Sequence, residues 1–154
     1  MDEKTRKRHR GAKAQRKGKT AEKIARLLLE ISGVRMVEKI ATPFICYDRK
    51  PSGHVKIRYT EQVSGDWRGI MVGSGRRVLC EVKARDGNLR WGDFKDHQIT
   101  ALSDNHMYGG VSLIVWIHPY DNLLIRWPMP GDFEKKGDSL TLEAARNWEW
   151  DEKS

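Results

Sequence analysis

The chain has 154 residues, enough for one domain with a real core, and a formal charge of +8 from 29 Lys and Arg against 21 Asp and Glu. The excess is uneven: residues 1–19 hold nine basic side chains against Asp2 and Glu3, while the remaining body is nearly neutral. No apolar run reaches the ~20 residues that span a bilayer, the basic start lacks an apolar signal region, and the two cysteines and five histidines show no zinc-site spacing; the expectation is a reduced, cytoplasmic protein with no membrane contact.

The basic start carries Arg6, Lys7, Arg8, Arg10, Lys13, Arg16, Lys17 and Lys19 with no apolar periodicity. It reads as an arm over 1–19, disordered when free, serving either as a nucleic-acid contact or as a solubilising tail. Thr20 suits the N-cap of a helix running to about Ser32 and stopped by Gly33. Ile24, Leu27, Leu28 and Ile31 give it a buried face that Ala21, Ala25 and Leu29 widen. Residues 44–62 read as a hairpin around Pro51-Ser52-Gly53, in which Val55, Ile57 and Tyr59 alternate with His54, Lys56, Arg58 and Thr60, and Arg49 and Lys50 precede the turn. A second hairpin spans 68–72 and 76–83 around Gly73-Ser74-Gly75. A helix over 93–104, a third hairpin over 111–118 and 123–127, and a short helix over 140–146 complete the order. This predicts a mixed α/β (α+β) domain over 20–150, one central sheet with a helix on each side.

The chemistry concentrates at Val78-Leu79-Cys80-Glu81-Val82-Lys83. A strand's period of two puts Glu81 and Lys83 on one side at the end of an otherwise apolar strand, where burying charge is costly without a partner. An acid-x-Lys pattern occurs six times, but only the one at Glu81 ends such a strand; by itself it reads as a core salt bridge. Asp66 precedes the partner strand, so the second hairpin brings it near residues 81–83. The carboxylates of Asp66 and Glu81 then suit a hard divalent cation, with Lys83 beside them to orient water and offset phosphate charge. Glu22 lies at the border of the apolar arc of the first helix, either looking into the cleft or serving as a helix-dipole acid. Gln98 lies on the side of its helix that faces the body of the domain, and His97 is the weakest candidate, expected at the surface.

Glu22, Asp66, Glu81-Val82-Lys83 and Gln98 resemble the active-site series of PD-(D/E)XK nucleases. Within that superfamily the chain resembles the RecU-type Holliday junction resolvases over roughly residues 18–127. The matching stretches are Gly18-Lys19-Thr20-Ala21-Glu22-Lys23, Thr42-Pro43, Asp66-Trp67-Arg68-Gly69, Glu81-Val82-Lys83-Ala84 and Phe94-Lys95-Asp96-His97-Gln98-Ile99. The resemblance implies a restriction-endonuclease-like core and a homodimeric endonuclease that cuts four-way junctions in recombination and repair. Glu22, Asp66, Glu81, Lys83 and Gln98 would be catalytic, and Asp66, Glu81 and Val82 would hold Mg2+, with Mn2+ as a substitute. It also implies that the 44–62 hairpin is a stalk entering the junction centre, with Arg49, Lys50, Lys56 and Arg58 joining the arm on DNA. Two features depart from the family: the stalk is short, and Gly65 stands where Thr is usual before the aspartate. A short, basic member suits a bacterial or phage-infected cytoplasm, with branched DNA as partner and no small-molecule substrate. The competing readings are a nuclease acting on duplex or other branched DNA, and a non-catalytic DNA-binding protein.

Overall fold

The structure, a computed structural model, describes residues 3–42, 44–59, 65–129, 131 and 133–151, with the backbone alone for 3–16, 44 and 59. Helix α1 (Glu3–Ile31) leads into β1 (Val34–Lys39), followed by β2 (Phe44–Arg49), β3 (Val55–Tyr59), β4 (Trp67–Met71) and β5 (Arg77–Ala84). Next come β6 (Leu89–Arg90), a 3-10 turn over Trp91–Asp93, α2 (Asp96–Met107), β7 (Val111–Ile117), β8 (Asn122–Trp127), β9 (Ser139–Leu140) and α3 (Leu142–Arg146). The central sheet has the order β1-β4-β5-β7-β8. The β5–β7 pair is parallel and the other neighbours are antiparallel. This is the mixed α+β architecture expected from the sequence.

The strand order follows from apolar content. β7 reads Val-Ser-Leu-Ile-Val-Trp-Ile and is buried on both faces, the pattern of an interior strand. One side of the sheet packs Ala25 and Leu29 of α1 over Trp67, Cys80, Leu113 and Val115. The other packs Leu102 of α2 with Phe94, Ile114, Trp116, Ile125, Trp127 and Ala145 of α3. Both outer strands are managed. The β8 edge is covered by the C-terminal segment, where Trp150 N–H donates to Leu124 O (2.7 Å) and Arg126 N–H to Trp148 O (3.1 Å). The β1 edge is broken by a bulge between Arg35 and Glu38, with Met36 at φ 53°. Gly69 lets β1 approach β4 closely: a Cβ there would lie 2.5 Å from Val34 Cγ1.

Three expectations change. The helix begins at Glu3, so the 1–19 arm and the helix expected from Thr20 are one element. Lys, Arg, Ala and Gln are strong helix formers, and a nucleated helix extends through them without an apolar face. The buried face of α1 is Ala21, Ala25 and Leu29, whereas Leu27 and Ile31 are 56% and 69% exposed; small alanines one turn apart let the helix sit closer to the sheet than the larger side chains would. The second helix starts at Asp96, since the chain first makes the 3-10 turn and places Phe94 outside the helix. β1, β6 and β9 had no expectation. β1 alternates apolar residues with charges too irregularly, and the other two are two-residue strands. Pro43 and residues 60–62 of the expected hairpin lie outside the described residues.

Candidate active site

Glu81 sits near the C-terminal end of β5, with only 2% of its surface exposed. Its neighbours Cys80 and Leu79 pack into opposite core clusters, which is the alternation expected of this strand. Lys83, two residues on, points to the same side and donates to Glu81 Oε1 at 2.9 Å. The Gln98 amide N–H also donates to Glu81 Oε1, and Gln98 Oε1 accepts from Lys83 Nζ at 3.0 Å. Gln98 is held by the start of α2, because the same Oε1 accepts the Lys95 N–H at 2.9 Å. Two donors to its oxygen fix the amide's orientation. Phe94 adds a face below the ammonium, with Lys83 Nζ 4.9 Å from the ring centroid.

Asp66 enters from β4. That strand starts at Trp67, opposite Cys80, so residues 81–84 of β5 extend past it. The Asp66 carboxylate takes the place of the missing strand: Oδ2 accepts the Val82 N–H at 2.7 Å, while the Asp66 N–H donates to Cys80 O at 2.8 Å. A hydrogen bond to a charged acceptor is worth about 1.5–3 kcal/mol, enough to hold the carboxylate at the strand end. Within a strand, one residue's N–H and C=O point the same way, so the Val82 carbonyl faces this open side too. Gly65 before it has φ 87°, and a Cβ there would lie 2.5 Å from Leu79 Cδ1. The positive φ favours glycine at that position.

The electrostatics are unbalanced. Burial pushes the Glu81 carboxyl up to about 7, the Asp66 charge pushes it the same way, and Lys83 opposes both. Glu81 Oε2 is buried and no protein N–H reaches it, its near polar neighbour being the Asp66 carboxyl. Two carboxylates and a carbonyl at one strand end, one oxygen unsatisfied, are the hard donor set that a divalent cation takes. The residues present fit such an ion. Among the described residues no group of three or more His, Cys, Asp or Glu side chains gathers on one point, so the carbonyl and solvent would complete the shell.

Asp66, Glu81, Val82, Lys83 and Gln98 are therefore brought together. Glu22 is not drawn into the same cluster: it stands half-exposed on α1, paired with Lys39 at the end of β1. His97 is partly buried rather than at the surface. Lys17 pairs with Asp86 just beyond β5 (3.3 Å), and Lys19 is exposed. Arg6, Lys7, Arg8, Arg10, Lys13 and Arg16 lie on α1, their side chains outside the described structure. Arg49, Lys50, Lys56 and Arg58 are exposed on the β2–β3 hairpin, with Lys56 facing Asp48 at 3.6 Å. Sequence reasoning missed Phe94 as a support for Lys83, although an aromatic four residues before Gln98 was a signal. It missed Lys39 entirely, because β1 was unassigned.

The chain is similar in fold to Hjc, a Holliday junction resolvase from the archaeal hyperthermophile Archaeoglobus fulgidus. The likeness has a TM-score of 0.55 at 12% identity and covers 84% of this chain and 93% of that one. No family model and no curated protein matches the sequence. Among the described residues no helix is long and apolar enough to cross a membrane.

Proposed function

We propose that this chain is a metal-dependent endonuclease of the PD-(D/E)XK superfamily that cuts four-way DNA junctions, RecU-like in type and homodimeric, working in a bacterial or phage-infected cytoplasm. The carrying observation is Glu81, a buried carboxylate with one oxygen saturated by Lys83 and Gln98 and the other without a partner, beside Asp66. Repulsion between these two acids raises the Glu81 carboxyl, and a cation between them would relieve it. The resolvase-like fold and the exposed basic hairpin support the choice of substrate.

In this reading Asp66, Glu81 and the Val82 carbonyl hold Mg2+ or Mn2+. Bound there, such an ion would supply Lewis acidity toward a phosphate oxygen and an attacking water. Lys83 presents its ammonium beside the scissile phosphate and offsets the charge that develops during in-line attack. Gln98 keeps Glu81 and Lys83 in fixed relation, since its amide contacts both. Phe94 limits where the ammonium can move. The basic residues of α1 and of the hairpin hold the backbone phosphates without reading sequence.

The test is cleavage of four-way junction, duplex and single-stranded oligonucleotides by the intact chain with Mg2+, with Mn2+ and with EDTA. Symmetric cutting of the junction that EDTA stops is expected. Equal cutting of duplex and junction would instead assign a plain nuclease, and binding without cutting under any metal would assign a DNA-binding protein.

A further inference from the structure

The candidate site occupies one end of the sheet, and the opposite end carries charge of its own. Register sets Val34 beside Met71, Ile70 beside Arg77, Val78 beside Val111 and Ser112 beside Trp127, so these strand ends lie together, away from Glu81. Two adjoining cavities of about 410 and 170 Å³ form a trough there, with Arg76, Val111 and Trp150 lining both. Arg35 lines the larger, and His106 and Arg126 line the smaller. Among the described residues no Asp or Glu lines either cavity, not even Glu149 and Asp151, which flank Trp150 in the chain.

These arginines differ from others in the body. Arg26, Arg68, Arg85 and Arg146 each meet a carboxylate. Arg76 instead donates to Gly109 O at 2.8 Å and Gly110 O at 2.9 Å, and Arg35 to Glu30 O at 2.9 Å and Val34 O at 3.1 Å. The Arg126 guanidinium has no hydrogen bond or ion pair among the described residues. Carbonyls orient a guanidinium and occupy part of its N–H donors without cancelling its charge. In a body close to neutral, three uncancelled guanidiniums around one concave surface make a local field that favours an anion.

We propose that this trough is a phosphate-binding surface that holds a second stretch of DNA backbone, at the end of the sheet away from the cleavage site. Arg35 stands on β1 and Arg126 on β8, four strand spacings apart, or about 19 Å. A row of that width suits several phosphates of one backbone rather than a single ion, and a guanidinium fork matches phosphate oxygens. Arg76 precedes Lys83 by seven residues of extended chain, about 23 Å. The phosphates held here are therefore not the ones being cut, and the contact adds affinity without entering the chemistry. The inference rests on DNA as the partner proposed above, and not on the metal site.

The experiment is an anisotropy titration of labelled duplex and four-way junction with the full chain in EDTA, over a salt series. It compares the wild type with Arg126→Gln, Arg35→Gln, the double variant, and Arg146→Gln, whose charge Asp121 already meets. Each trough substitution should make the slope of log K against log salt shallower by about 0.9, and the pair by about 1.8, on both substrates. Arg146→Gln should leave the slope as it is. Calorimetric titration of inorganic phosphate addresses the other source of the same chemistry. Phosphate binding that the double variant abolishes, with DNA slopes unchanged, would give the trough to a small ligand and refute its DNA role. Unchanged slopes without phosphate binding, or an equal change in Arg146→Gln, would overturn the site. A wild type that binds neither DNA would overturn the DNA reading itself, and this inference with it. Thermal melting of each variant keeps misfolding apart from these outcomes.

Discussion

Two hairpins follow each other in this chain and end in opposite situations. β2–β3 and β4–β5 are both antiparallel, both five to eight residues a strand, and both turn through short Gly- and Ser-containing loops. β4–β5 lies inside a five-stranded sheet between two helical layers, and Glu81 on it is nearly inaccessible. β2–β3 forms a sheet of its own, on which Ile45, Tyr47 and Ile57 are 43%, 61% and 44% exposed. The first can shift a carboxyl to near neutrality because water is excluded there. The second cannot perturb a charge in that way, but it can present basic side chains to a large anionic partner. Rigid burial suits chemistry, and a projecting ribbon suits recognition.

The sharpest way to break this contrast is to disable the buried hairpin alone. Asp66→Asn or Glu81→Gln should lower junction cleavage by about 10²- to 10³-fold or more while leaving junction binding nearly unchanged. Lys83→Ala should do the same, since its ammonium contacts Glu81 directly. Single-turnover cleavage beside a gel-shift titration checks all three; wild-type turnover in any of them would remove that residue from the chemistry.

Removing residues 1–16 leaves Lys17 and its Asp86 contact in place and takes away seven basic side chains. If about four to five of those charges displace counterions, the slope of log K against log salt should fall by about 4 units. The expected body remains folded, as circular dichroism would report. An unchanged slope would mean that the start of α1 is only a solubilising extension.

Replacing residues 49–55 with a short Gly-Ser turn tests the exposed hairpin. Junction affinity should fall by about tenfold, with less than about a twofold loss on duplex, since only the junction offers phosphates around an open centre. Melting temperature should not move, because the hairpin buries little. Equal losses on both substrates would make the ribbon a general DNA contact.

The smallest effect is on stability. The Glu81 carboxyl is raised to about 7 in the folded chain from an ordinary value near 4.5, so between those values the folded state binds more protons than the unfolded one. Stability of the metal-free protein should therefore fall as pH rises from 4.5 to 7 and level off above. Glu81→Gln, which does not titrate, should flatten that fall. Urea unfolding at pH 5 and pH 8 in EDTA measures it; a wild type more stable at pH 8 would reverse the sign.

The sequence by itself determined the class of fold, the second and third hairpins, and the place where charge meets apolar strand. These rest on local periods: Val78, Cys80 and Val82 alternate with Leu79, Glu81 and Lys83 whatever the rest of the chain does. It also located Asp66, because a short turn at 73–75 leaves one register for the hairpin. The extent of α1 and its buried face were decided elsewhere. Alanines at 21 and 25 and leucines at 27 and 28 offer a helix several apolar arcs, and only the sheet beneath selects one. β1 has no pattern of its own and exists because β4 gives it hydrogen bonds and Gly69 gives it room. The partner of Glu22 and the double duty of Gln98 depend on side chains 15 to 17 residues apart meeting at the ends of two different strands. Local propensity carries no record of such meetings, since they are set by how the layers pack.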